Sequence, residues 1–557
     1  MHFINLPKKK ISWVAILLLL VACNNKYKEN KGKTVFRYNE SAGITSLDPA
    51  FARSQANIWA VNQLFNGLVQ LDDELKVQPS IAKNWDISPD GLSYTFHLRN
   101  DVFFHPDDAF GSKKTRKVIA QDFVYSLERI LSQKIASPGA WVLSQVKIEK
   151  GIPAFEAPDD STFVVKLKSP FPPFLGLLTT PYCAVVPKEC IDKYKEDFRR
   201  HPVGTGAFKF GMWKENVKLV LLKNPEYFEF ERNKRLPYLD AIAITFIIDK
   251  QTAFLEFVKG NLDFISGIDA GYKDEILTPT GELKSKYKDR IELTKQPYLN
   301  TEYLGFLVDD SIEIVKNSPL KNKLIRQALN YGFDRVRMMK YLRNNIGIAA
   351  VHGIIPPGMP WVNVNNIEGY GYNPAKALQL LKQAGFPEGR GLPAITLTTN
   401  ASYVDLCKYI QSQLGEIGIK IKIDITPPAT LREMMAQSKV NFFRGSWIAD
   451  YPDAENYLSL FYAPNYAPVG PNYTHFKSKK FDKLYEESIL QRSDSLRGSL
   501  YEKMDKLVMD EAPVMVLFYD EVLRFYRKNI EGLGSNAMNL LQLKKVKKNN
   551  SHGNQEN

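Results

Sequence analysis

Three lysines, Lys8 to Lys10, precede a short apolar run from Ile11 to Ala22. A basic start, a brief apolar core and small residues before a cleavage point predict a secretory signal over residues 1–22. The run is too short for a membrane anchor, because crossing a bilayer takes about 20 apolar residues. Residues 23–33 are polar and without period, so a disordered linker is expected. Beyond it, apolar positions fall at strand and helix spacings. Thr34 to Asn39 reads as a strand, and Ala56 to Leu68 carries helical spacing through Ile58, Val61, Leu64 and Leu68. Trp85 to Ile87 and Leu92 to Arg99 flank Ser88-Pro89-Asp90-Gly91. Proline presets φ and glycine accepts positive φ, so this reads as a hairpin. Helices are predicted over 121–131, 323–331, 374–384 and 404–417, and strands over 218–222, 241–247, 394–399 and 420–425. The recurring helix–strand alternation of the last third implies an α/β sheet domain.

Length and composition extend this picture. The chain has 557 residues, 44% of them apolar, enough for two to four domains at ~100–200 residues each. Its net charge of +13 suggests a nucleic-acid partner until it is located. Signal, linker and tail each carry a net +3, which leaves about +4 for the body. No nucleic-acid partner is expected. The tail, 544–557, is rich in Asn and Lys and is expected to be disordered.

No enzyme constellation is present: there is no GxSxG, HExxH, CxxC or P-loop. None of the seven histidines stands four residues from another. With no nucleophile–base pair to name, neither an enzyme nor a cofactor is expected, and no metal site. Of four cysteines, Cys183 and Cys190 are close enough in sequence for a local disulfide, with buried free thiols as the equal alternative.

Leu20-Val21-Ala22-Cys23 resembles the lipobox of bacterial lipoproteins. The resemblance implies a lipid on Cys23 and a mature protein tethered to the outer side of a bacterial membrane, periplasmic or extracellular. The following blocks resemble a second family in order and spacing: Leu64-Phe65-Asn66-Gly67-Leu68-Val69, Gln78 to Trp85, Thr95 to Arg99, Asp122 to Ser126, Pro202 to Phe208, Leu222 to Phe228, Arg326 to Asn330 with Asp334-Arg335, and Trp447 to Asp453. These are similar to the family 5 solute-binding proteins, the oligopeptide- and dipeptide-binding components of ABC importers. The likeness covers about Thr34 to Leu543. It departs at the basic loop Gly111 to Lys117 and at Ala454, where relatives often carry proline. In one relative cysteines flank the pocket of the Trp447 motif; Asn300 and Ile448 stand there instead.

The resemblance implies a periplasmic-binding-protein-like α/β fold with two ligand-enclosing lobes and a third inserted domain. Lobe I would comprise 34–65, 183–299 and 512–543, the inserted domain 66–182, and lobe III 300–511. The hinge would lie near Leu299 and Glu511. A monomer that hands a short peptide to ABC permease subunits is implied.

A peptide brings a fixed ammonium, a fixed carboxylate and a backbone. Burying an unpaired ammonium is costly, so a carboxylate is needed at a fixed place. Asp450 matches the family position for that role, with a turn aspartate as the alternative. Arg444 matches a position that takes the ligand carboxylate, with an ion pair inside lobe III as the equal alternative. Trp447 would wall a side-chain pocket. Arg53, Ser54 and Gln55 match a stretch that pairs with the ligand backbone as a strand; relatives often have an acidic residue at the Arg53 position. The alternatives to a peptide are a nickel complex, haem, an opine or an oligosaccharide in the same fold, or a surface lipoprotein acting as adhesin or chaperone.

Overall fold

The computed structural model describes residues 32–268 and 272–549. The signal and Cys23 lie outside the described residues. Among these residues no helix is long and apolar enough to cross a membrane.

An eleven-stranded mixed sheet runs through the molecule. Its first half contains Phe208–Lys214, Lys218–Lys223, Ala241–Thr245, Val35–Asn39 and Phe264–Ser266. Its second half contains Phe442–Ile448, Ile395–Thr399 and Ile421–Ile425. Two long antiparallel strands, Ile291–Phe306 and Val514–Arg527, join the halves. Ile291 to Pro297 pairs with Arg527 to Glu521 on the first side; Thr301 to Gly305 pairs with Tyr519 to Val514 on the second. Between them the register breaks, from Pro297 to Thr301. Proline has no N–H to give to a ladder. Leu299, inside the break, bonds elsewhere: its N–H donates to the Ala537 carbonyl, and its own carbonyl accepts from the Ala449 N–H, both at 2.8 Å.

The break is centred on Leu299 of one strand and on Tyr519–Glu521 of the other. Glu511 is the last residue of the helix Asp494–Glu511. That helix buries the face carrying Leu500, Tyr501, Met504 and Val508 and packs with Lys479–Leu490 on the second half.

A separate four-stranded sheet, ordered Ala82–Ile87, Ser93–Leu98, Thr162–Lys166 and Phe155–Asp159, lies within residues 66–182. Its core, around Phe96, Phe123 and Phe163, is continuous with that of the first half. The hairpin forms with Ile87 opposite Tyr94, and Gly91 takes φ +73°. The basic loop is absorbed by pairing. Arg116 grips Asp122 at 2.7 Å and Glu189 at 2.6 Å and lies over the Phe104 ring. The Arg116 charge serves the fold.

The tail departs from expectation within the described residues. Val546 is fully buried, and Lys547–Lys548 pairs with Ile530–Glu531. Lys544 meets Glu229 at 2.6 Å and Lys548 meets Asp263 at 2.9 Å. Two of the four tail lysines thus have carboxylate partners that are partly or nearly fully buried. Cys183, Cys190 and Cys407 are free and buried; burial pushes the thiols of Cys183 and Cys190 up to about 12. The Cys183–Cys190 disulfide is absent.

The matched sequence blocks have visible structural work. Arg326 donates to the carbonyls of Ala512, Glu511 and Leu320, and Arg335 to those of Val516, Asn330 and Tyr370. Both guanidinium groups are buried and satisfy strand and helix-end carbonyls that would otherwise lack partners. A Cβ on Gly204 or Gly206 would come within 2.1 or 2.3 Å of the Leu64 or Gln63 carbonyl. Glycine is required there so that the chain can pass the C-terminal end of the helix Gln55–Leu64. The N-terminal end of that helix faces the cleft described next.

Candidate functional site

The two halves and the four-stranded body enclose a cleft of about 680 Å³, inside the ~300–1,000 Å³ range of small-ligand pockets. The first half contributes Arg53, Gln55 and Trp59; the crossing contributes Tyr298 and Leu299; the second half contributes Ile448, Ala449 and Asp450. Trp141 and Tyr182 close it from the side, and Met538 to Leu540 form the floor. A second cavity of about 400 Å³ shares Gln55, Tyr298 and Asn539 with it.

Asp450 lies two residues past the interior strand Phe442–Ile448 and opens on the cleft. The surrounding walls remove water from its carboxyl and raise its pKa; a hydrogen bond from Asn456 opposes this. Asn456 organises the segment. Its side-chain carbonyl accepts the Trp447 indole N–H at 2.8 Å and the Asp450 backbone N–H at 3.2 Å. Its amide reaches an Asp450 carboxylate oxygen at 3.5 Å. Trp447, which is not among the residues lining the cleft, is thereby held by its indole, half-buried beside the second-half core. Asn456 belongs to none of the motifs that stand out in the sequence. Its position three residues beyond Asp453 was the available signal, since a polar side chain there faces back over the turn.

Beneath the motif lies a buried polar layer. Asp453 caps the Glu455 N–H at 3.0 Å and binds Arg497 at 3.0 Å and the Tyr501 hydroxyl at 2.7 Å. Its role is structural. Glu455 accepts hydrogen bonds from the hydroxyls of Tyr451 and Tyr485, and burial pushes its carboxyl up to about 7. Tyr451 packs against Trp141 with ring centroids 6.4 Å apart, so the Asp450 segment touches the four-stranded body across the mouth.

Arg444 sits on the same strand but pairs with buried Glu302, the ion-pair alternative that the sequence left open. Its guanidinium lies 3.6 Å over the Tyr403 ring. Glu302 also accepts from Asn300 at 3.3 Å and from the Tyr403 hydroxyl at 3.4 Å. Burial raises the Glu302 pKa, and Arg444 is the main group that lowers it. Asn300 and Ile448 are direct cross-strand partners.

Arg53-Ser54-Gln55 is not part of a strand of the sheet and leads into a helix. Ser54 is the N-cap of the helix Gln55–Leu64, accepting the Asn57 N–H at 3.3 Å, and its carbonyl takes the Ile58 N–H. The Arg53 N–H donates to Phe51 at 2.8 Å. Serine followed by a helical apolar pattern is a cap signal. Arg53 and Gln55 still face the cleft with their side chains.

Residues 76–468 match the model of bacterial extracellular solute-binding proteins, family 5. The chain belongs to this family. It is 26% identical over 497 residues to the glutathione-binding protein GsiB of Shigella dysenteriae, covering 88% of this chain and 90% of that one. Among solved structures it resembles HbpA2 of Haemophilus parasuis, at TM-score 0.80 and 22% identity, covering 92% and 100% of the two chains. It also resembles the ABC transporter-associated periplasmic binding protein DppA of Helicobacter pylori in complex with the peptide STSA, at TM-score 0.69 and 26% identity, covering 93% and 99%. The family is one of extracellular binding proteins of ABC importers, not of enzymes.

Proposed function

We propose that this protein captures short peptides outside the cytoplasm and delivers them to an ABC permease, as a monomer anchored by a lipid on Cys23. The observation that carries the reading is the Asp450 carboxylate. It opens into a walled cleft between two sheet halves, and among the described residues it has no ion-pair partner. Such a carboxylate is a seat for a cation, and the peptide's α-ammonium is the one cation that every free peptide brings. The peptide in the related DppA complex supports this ligand class. Glutathione is itself a short peptide with a free ammonium, so the glutathione-binding relatives fall within the reading.

The register break at Pro297 to Thr301, opposite Tyr519–Glu521, is the proposed hinge. Closure about it would bring Asp450 toward the first half and bury the ligand. Haem, nickel complexes, opines and oligosaccharides lack the constant ammonium that this reading seats on Asp450, or do not require it.

Purification from the native cell, followed by mass spectrometry of what is released on unfolding, tests the ligand class. Short peptides with free amino termini are expected; release of only non-peptide solutes would overturn the reading. The anchor is tested by fatty-acid labelling. Label is expected on the wild type and not on Cys23→Ser, and a labelled variant would contradict it.

A further inference from the structure

The side chains that line the main cleft include one acid, Asp450, and one base, Arg53. They come from opposite sides of the hinge: Asp450 from the second half, and Arg53 from the loop before the helix Gln55–Leu64 of the first. Among the described residues Arg53 makes no side-chain hydrogen bond or ion pair, and it is exposed to the cleft. Tyr182, in the wall, sits in the field of both charges. The positive end of the helix adds to Arg53 in sign. Arg444, the other candidate for a ligand carboxylate, is held by Glu302 and Tyr403. The charged groups of the adjoining cavity are also occupied. Arg343 meets Asp520 at 2.9 Å, Glu521 accepts the Gly347 N–H at 2.9 Å, and Lys273 donates to Asn344 at 2.7 Å.

We propose that Arg53 takes the ligand's terminal carboxylate. The ligand then lies across the hinge as a zwitterion, its ammonium on Asp450 of one half and its carboxylate on Arg53 of the other. This rests on the peptide reading above and adds a specificity to it: the cleft selects short peptides with a free C-terminus, and the ligand's own charges hold the halves together. A guanidinium grips a carboxylate by a two-pronged, charge-assisted bond and a neutral amide less well.

The test uses the full mature chain and a library of short free peptides with glutathione added, alongside the same peptides C-terminally amidated and the glycyl ester of glutathione. Wild type, Arg53→Gln and Arg53→Lys are compared by mass spectrometry of retained ligand and by calorimetry on the best-retained member. Blocking the carboxylate is expected to weaken binding to the wild type by about 10–100-fold. Arg53→Gln should bind free and blocked forms alike, at the weak level, and Arg53→Lys should keep part of the discrimination. Because Arg53 is exposed, an unchanged melting temperature is expected for both variants. If Arg53→Gln discriminates as the wild type does, the carboxylate is held elsewhere and this inference fails while the peptide reading stands. If no peptide is retained by any form, the peptide reading fails and this inference with it.

Discussion

The backbone N–H of Asp450 donates to the side-chain carbonyl of Asn456 at 3.2 Å, and the Asn456 amide turns back toward the Asp450 carboxylate at 3.5 Å. One buried amide thus fixes both the strand exit and the direction of the carboxylate. Asn456→Ala should weaken peptide binding by about 1.5–3 kcal/mol, the size of a lost hydrogen bond to a charged group. Asn456→Asp keeps the acceptor for the Trp447 indole but sets a second carboxylate beside the first. It should cost more in binding than in thermal stability, because like charges disfavour ionisation of Asp450. Calorimetry paired with thermal melts separates the two effects.

Glu302 and Arg444 form a pair buried inside the second half. Removing one partner leaves the other charge buried, which typically costs about 3–5 kcal/mol. Arg444→Met should lower stability by roughly that amount in denaturant titrations. Adding Glu302→Gln should restore much of it. Full stability in Arg444→Met alone would contradict the structural assignment.

Glu455 and Asp505 are buried carboxyls whose pKa values are pushed up to about 7. Asp505 accepts the backbone N–H groups of Ile354 and Ile355 at 2.9 and 3.1 Å. The unfolded chain releases these protons near pH ~4, whereas the folded protein keeps them until about 7. Their contribution to stability is therefore fully present below ~4 and is lost as pH rises through 7. The difference in unfolding free energy between wild type and Glu455→Gln should shrink the wild type's advantage as pH climbs from 5 to 8. A pH-independent difference would contradict the buried, proton-holding carboxyl.

Closure about Leu299 and Asp520 should compact the molecule. Small-angle scattering with and without a saturating peptide is expected to give a smaller radius of gyration for the loaded form. Binding should also raise the melting temperature by mass action.

Much of this architecture was legible in the sequence. The elements over 121–131, 323–331 and 374–384 appear at Ala120–Leu131, Lys323–Tyr331 and Pro374–Gln383, because each buries one face at helical spacing. The helix predicted to run to Leu68 stops at Leu64, and its apolar pattern continues into the strand Val69–Leu71. The two long crossing strands had no clean signature. Past Pro297 the strand Ile291–Phe306 is buried on both faces, so no alternation survives to mark it. At the site, Asp450 and Arg53 could be placed on the cleft from residue matching. Glu302 could not, because its partner Arg444 is distant along the chain, and Asn456 left only a local signal, its spacing from Asp453.

The central claim is that Asp450 holds the ligand's ammonium, and N-acetylation tests it most directly. Calorimetry would compare one well-bound peptide, its N-acetylated form and variants at a central residue, on wild type and on Asp450→Asn. Acetylation, or loss of the carboxylate, should cost about 3–5 kcal/mol, as for one partner of a buried charge pair. A central substitution should cost only about 1–2 kcal/mol, because ordered water can replace lost contacts. The account predicts that acetylation has almost no further effect on Asp450→Asn. An acetylated peptide that binds wild type as well as its parent would contradict it.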